Sequence, residues 1–351
     1  MKKLLFMVLL VLGVSANSDF SVSENKISII SLTQNAVSLK NILFQSDENE
    51  AWAKEFYLKN TAPKNEHNVL LVRGKNYTAL VDTGYEKTKK SLINELKKYN
   101  LTPKDITHII ITHAHPDHIG GLGAFGNSKI LLNADEKDFW AKQADISKLN
   151  ISYFKAGDEL IEKGSKIRAI AAYGHTPGHT LIGFENTQNK NEFIFVADIF
   201  HFYDLQIKAP VVAATFDDNK TLAIDTRKGV MNELIAQKTK FIGTHMPYKT
   251  PVILEKSEPI KVTQSAKNGD RQKGEALFKS VCARCHGVNA NDLYLGVVPE
   301  LRKVGEIANY LNQYKNGTRN RYDMGQVMKE QIKGLSKDDF MSVESYIKSL
   351  K

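Results

Sequence analysis

The stretch Thr107-His-Ile-Ile-Ile-Thr-His113-Ala-His115-Pro-Asp117-His118-Ile-Gly-Gly121 constrains this chain more than any other. An apolar run of strand type, Ile109 to Ile111, stops where three histidines and an aspartate fall within six positions. A packed core has no use for such a group, because buried polar atoms must be hydrogen-bonded or ligated. Imidazole nitrogens and a carboxylate oxygen together suit a borderline divalent metal, and four donors on one turn reach two neighbouring ions. The spacing therefore predicts a dinuclear metal centre at the mouth of a sheet.

Other strand ends carry similar residues. Gly174-His175-Thr-Pro-Gly-His179-Thr is a second candidate loop, Phe193 to Ala197 reads as a buried strand ending at Asp198, and Phe241 to Thr244 as another ending at His245. His113, His115, His118, His179 and His245 with Asp117 and Asp198 provide seven donors. For the isolated His67 and His108 an ordinary packed role is expected. Upstream, Lys26 to Leu32 and Val37 to Phe44 read as strands, and Gln45 to Glu66 as a polar irregular stretch. Asn68 to Val72 and Tyr77 to Val81 form a hairpin that ends at Asp82, and Glu86 to Tyr99 has helical spacing. Strand, turn, helix and strand in succession indicate an α/β layer.

The 351 residues leave room for two cores. Residues 1–16 combine Lys2-Lys3, an apolar stretch from Leu4 to Val14 and a small-residue site at Ala16, the pattern of a secretory signal peptide. That apolar run is too short to span a bilayer comfortably, and no later stretch predicts an integral membrane span. The net charge of +9 does not point to nucleic acid, since the lysines scatter through helical segments of an exported chain. Residues 264–351 hold 15 Lys and Arg against 10 Asp and Glu, so an excess of basic charge sits in the last quarter. The two cysteines both belong to Cys282-Ala-Arg-Cys285-His286, the haem attachment motif. Residues 250–268 carry two prolines and no periodicity and are expected to be the linker. Ser336 to Phe340 looks like the capped start of a final helix with Phe340, Val343, Tyr346, Ile347 and Leu350 on one face.

His113-Ala-His115-Pro-Asp117-His118, His179 in Gly-His-Thr-Pro-Gly-His, Asp198 and His245 together resemble the metallo-β-lactamase-fold hydrolases, over about residues 25–260. The resemblance implies an α/β fold, the αββα sandwich, with two Zn2+ in which His113, His115 and His179 hold one metal. Asp117, His118 and His245 would hold the other, and Asp198 would bridge them. Asp82 matches the aspartate that orients the metal loop, and His175 is assigned a structural role. Asp198-Ile-Phe-His201, Phe216-Asp-Asp218 and His245-Met-Pro-Tyr248 are similar to the methyl parathion hydrolase-like group. The implied activity is hydrolysis of an ester, lactone or phosphotriester by a bridging hydroxide, with Asp117 and Asp198 as the catalytic carboxylates.

Residues 265–351 resemble the class I c-type cytochromes, a small all-α domain. That resemblance implies one covalently bound haem c on Cys282 and Cys285, His286 as proximal ligand and Met328 as distal ligand, with Met324 in reserve. A periplasmic protein follows, acting on a small molecule, with a redox partner docking on the basic haem domain. Two alternatives accompany this reading. The His/Asp donors accept iron or manganese as well as zinc, so an iron site could oxidise a sulfur compound and pass electrons to the haem; or the metal domain serves only as a binding module.

Overall fold

The computed structural model describes residues 19–36, 39–59, 64–260, 270–291, 301–320 and 325–350. The expected signal peptide, residues 261–269 and Met324 lie outside them. The chain divides into two compact units, residues 1–262 and 263–351.

In the first unit, alternation along one short strand sets the layers. His108–Ile111 turns Ile110 to one face and Ile109 and Ile111 to the other, and both faces are covered. That strand is β5 of a seven-stranded sheet in sequence order: β1 (Asp19–Val22), β2 (Asn25–Ala36), β3 (Lys64–Arg73), β4 (Thr78–Val81), β5, β6 (Lys129–Asn133) and β7 (Ile151–Phe154). The pairs from β1 to β4 are antiparallel and those from β4 to β7 parallel. A second sheet holds β8 (Ile167–Ala171), β9 (Thr180–Glu185), β10 (Asn191–Phe195), β11 (Lys240–Ile242) and β12 (Val252–Ile253), in the order β12-β11-β10-β9-β8. Ile27, Leu70, Val81 and Ile110 from one sheet share a core with Ile182, Phe184, Phe193, Phe195 and Phe241 from the other. Helix Lys89–Lys97 covers the outer face of the first sheet with Leu92 and Leu96, and helix Lys220–Gln237 adds Met231 and Leu234 beside the second. The result is an αββα sandwich.

Three stretches differ from expectation. Residues 39–42 are helical rather than extended, and Asp47–Lys59 is a helix rather than an irregular loop. Leu39, Ile42 and Leu43, at helical spacing, bury one face against Phe56, Phe202, Leu205 and Val212, with Trp52 and Ala53 alongside. The expected linker begins inside the first unit, because Val252–Ile253 pairs with β11 and Leu254 and Ile260 are buried.

The second unit is helical. Helices Arg271–Leu277, Ala283–His286, Ile307–Lys315, Gly325–Ile332 and Lys337–Lys348 enclose Phe278, Ile307, Leu311, Ile332, Phe340, Val343, Tyr346 and Ile347. Its first and last helices cross so closely that a Cβ on Gly274 would collide with the Ser342 carbonyl. Ser336 caps the last helix by accepting from the Asp339 N–H, and Asp339 returns the bond to the Ser336 N–H.

Candidate metal centre

Three strand ends bring the donors together. The His113 loop follows β5, Asp198 follows β10, and His245 follows β11. Ala197 has φ 43°, in the left-handed region that few residues other than glycine adopt, and its carbonyl accepts from the Thr244 N–H at 3.0 Å. This turn presents the Asp198 side chain to both loops.

Asp198 is the hub. Its Oδ1 lies 3.2 Å from His118 Nε2, and its Oδ2 lies 3.1 Å from His245 Nε2, 3.5 Å from His175 Nε2, 3.5 Å from His201 Nε2 and 3.9 Å from His113 Nε2. Asp117 Oδ2 is 3.4 Å from His245 Nε2 and 3.7 Å from His118 Nε2. Asp117, His118, Asp198 and His245 thus form one group able to hold an ion.

The other group is His113, His115 and His175. His175 Nε2 is 3.0 Å from His115 Nδ1 and 3.2 Å from His113 Nε2, and those two atoms are 3.1 Å apart. His179, expected as the third ligand beside His113 and His115, stands next to this group, its ring centroid 5.1 Å from that of His113. His179 Nδ1 donates to the Ala172 carbonyl at 2.9 Å, which fixes the ring and leaves Nε2 on the Asp198 side, 3.2 Å from the Asp198 N–H.

Three ring orientations are fixed from behind. Asp82, buried with φ 62°, accepts from His118 Nδ1 at 2.7 Å and from the Thr112 N–H and hydroxyl at 2.9 and 2.8 Å. Asp217 Oδ1 faces His175 Nδ1 at 2.9 Å, and His245 Nδ1 faces Asn65 Oδ1 at 3.2 Å. Each partner leaves Nε2 pointing into the cluster, the arrangement metal-ligating histidines use.

The electrostatics call for positive charge. Burial pushes Asp198 up, but His245 and His118 outweigh it and hold the carboxyl well below its ordinary range. Burial lowers His118, yet Asp198, Asp82 and Asp117 together raise it well above the usual imidazole value. Burial holds His113 well below that value and brings His115 down to about 4, so their neutral lone pairs converge. Buried His118 Nε2 and Asp198 Oδ1 have no hydrogen-bond partner among the described residues. Facing donors that satisfy one another so poorly fit bound cations.

Two further histidines stand at the centre. His67, expected to be an ordinary packed residue, places Nε2 2.9 Å from Asp117 Oδ2 and packs against His245 and Tyr85. The signal was there: Asn65-Glu-His67-Asn68 is a buried polar run in a strand that is otherwise apolar from Val69 to Val72. His201 forms a third group with His175 and Asp198 and stacks between His245 and Phe216. His108 lies on β5, away from these groups, beside Thr107.

In the second unit Cys282 and Cys285 are half-buried free thiols and His286 is buried, its Nδ1 without a partner among the described residues. Met328 and Cys282 both pack against the core of this unit.

A model of the metallo-beta-lactamase superfamily matches residues 63–240, just over half of the 351. The chain belongs to the metallo-beta-lactamase superfamily. A second model, cytochrome c, matches residues 271–351, so the superfamily domain is followed by a cytochrome c domain. Metallo-beta-lactamase domain-containing protein 1 of Xenopus laevis is 34% identical over 113 residues, 32% of this chain and 44% of that protein. N-acyl homoserine lactonase of Bacillus thuringiensis is 31% identical over 104 residues, 28% of this chain and 40% of that protein. The chain thus spans less than half the length of these relatives. Among solved structures, the dizinc quorum-quenching lactonase AidC superposes with a TM-score of 0.58 at 21% identity, over 69% of this chain and 94% of that one. The hydrolase AbOPH gives 0.57 at 20% identity, over 68% and 93%. Both share the superfamily fold.

Proposed function

We propose that this protein is a dinuclear metallohydrolase acting on an ester, lactone or phosphotriester, joined to a monohaem cytochrome c and exported to the periplasm. The observation that carries the reading is the convergence of two donor groups on Asp198. His113, His115 and His179 would hold one ion, Asp117, His118 and His245 the other, and Asp198 both, with His175 beside the first group. Two such cations, zinc above all, would lower the pKa of bound water and polarise the carbonyl or phosphoryl oxygen.

The chain's own groups do the rest. Asp198, whose buried Oδ1 lies 3.2 Å from His118 Nε2, is the acceptor for the proton released as a water oxygen bonds to the acyl carbon or phosphorus. The ester C–O or P–O bond then breaks, and the departing alkoxide takes that proton from Asp198 to leave as the alcohol. Asp117, expected to share this role, has Oδ2 engaged by His67 Nε2 and is read as a ligand only. The named lactonase relative supports a lactone as substrate. Cys282 and Cys285 would carry the haem thioethers and His286 would bind its iron, with Met328 on the other side.

The fused cytochrome favours one second reading, an iron centre that passes electrons to the haem. The test is to assay the haem-matured, zinc-loaded chain on lactones, aryl esters and phosphotriesters beside His113→Ala and His179→Ala. Hydrolysis by the wild type that falls at least about 100-fold in both variants supports the hydrolase, the effect expected when the group polarising the reacting oxygen is lost. No hydrolysis of any of the three classes sinks it.

A further inference from the structure

Glu136 takes no part in the centre described above, yet it is fully buried beside it. It sits in the turn after β6, where Asn133 accepts from the Asp135 N–H and donates its own amide to Thr180 Oγ1. Its Oε1 accepts from the Ala114 N–H at 2.9 Å, and its Oε2 accepts from the Gly178 N–H at 2.7 Å and the Thr176 hydroxyl at 2.8 Å. Among the described residues it has no salt bridge. The approach is close enough that a Cβ on Gly178 would lie 2.5 Å from the Glu136 nitrogen.

Ala114 separates His113 from His115, and Thr176 follows His175. With Gly178 directly before His179, one carboxylate ties together the backbones that carry His113, His115, His175 and His179. The other group is held elsewhere, His118 by Asp82 and His245 by Asn65. We propose that Glu136 is a positioning residue that sets the distance between the His113–His115 loop and the His175 loop, and so governs the affinity of the first metal position alone. The proposal rests on the dinuclear reading above.

Glu136→Gln tests it at nearly constant shape. A carboxylate accepts at both oxygens, whereas an amide accepts at one end and sets N–H against N–H at the other. In the haem-matured full chain, zinc titration against a chromophoric chelator should show one position unchanged and the other about 10- to 100-fold weaker, the usual cost of losing an outer partner of a metal site. In a His179→Ala background, where the first position is already lost, Glu136→Gln should cause no further weakening. Thr176→Val, which removes only the hydroxyl donor, should weaken the same position less, and it decides the matter if Glu136→Gln does not fold. Unchanged binding of both zinc ions, or equal weakening of both, would overturn the proposal while leaving the dinuclear reading intact. A folded wild type that takes up no zinc would overturn both.

Discussion

A ligating histidine gives one nitrogen to the metal and needs a partner for the other, and both His175 and His179 meet that rule. His175 spends Nδ1 on Asp217 and His179 spends Nδ1 on the Ala172 carbonyl. His179→Ala is expected to cut the metal content from two ions to one, and His175→Gln to keep both, as read by elemental analysis of the dialysed protein. Asp82→Asn should retain the left-handed backbone, which asparagine tolerates, yet weaken metal binding about 10- to 100-fold because the amide cannot hold His118 Nδ1 and both Thr112 donors as a carboxylate does. At this scale the sequence showed the type of chemistry but not every participant. Gly174-His175-Thr and Gly178-His179-Thr are the same tripeptide, so nothing local distinguishes the two rings. His67 and Glu136 reach the centre because β3 begins and β6 ends beside it; the polar run around His67 marks the strand without showing its partner, and nothing along the chain marks Glu136.

Elements whose apolar residues follow a clean period were legible. The strands before Asp82, His113, Asp198 and His245 announce themselves as apolar runs, and each ends at a polar residue of the centre. The helix Asp47–Lys59 was not, because Trp52, Ala53 and Phe56 are few among charged neighbours and reveal one face only once Leu39, Leu205 and Val212 lie against it. Stability follows the same layers. Phe195, fully buried between the sheets, should cost about 3–5 kcal/mol when changed to alanine, measured by denaturant unfolding of the first unit. In the second unit Ser336→Ala removes a helix cap and should cost about 1 kcal/mol. Asp339 is held down to about 2 by Lys273 and the Ser336 donors. A depressed carboxyl stabilises above its unfolded pKa and loses that contribution as pH falls through the folded one. Asp339→Asn should therefore unfold more readily than wild type at neutral pH, with the gap closing between about pH 4 and pH 2; a gap independent of pH would contradict the assignment.

The whole molecule joins two chemistries in one chain, a superfamily domain with a histidine and aspartate cluster and a cytochrome c domain with thiols and a histidine placed for haem. Hydrolysis moves no electrons, so the two readings of that cluster part over what the haem does during turnover. The central claim is that the cluster holds two zinc ions and hydrolyses its substrate without exchanging electrons with the haem. The most direct measurement combines elemental analysis of the as-purified, haem-matured protein with simultaneous recording of lactone hydrolysis and haem absorbance, starting from oxidised haem. The account predicts two zinc ions per chain and steady turnover while the haem spectrum stays oxidised. Iron in the cluster, with haem reduction that depends on substrate and disappears in His179→Ala, would contradict it.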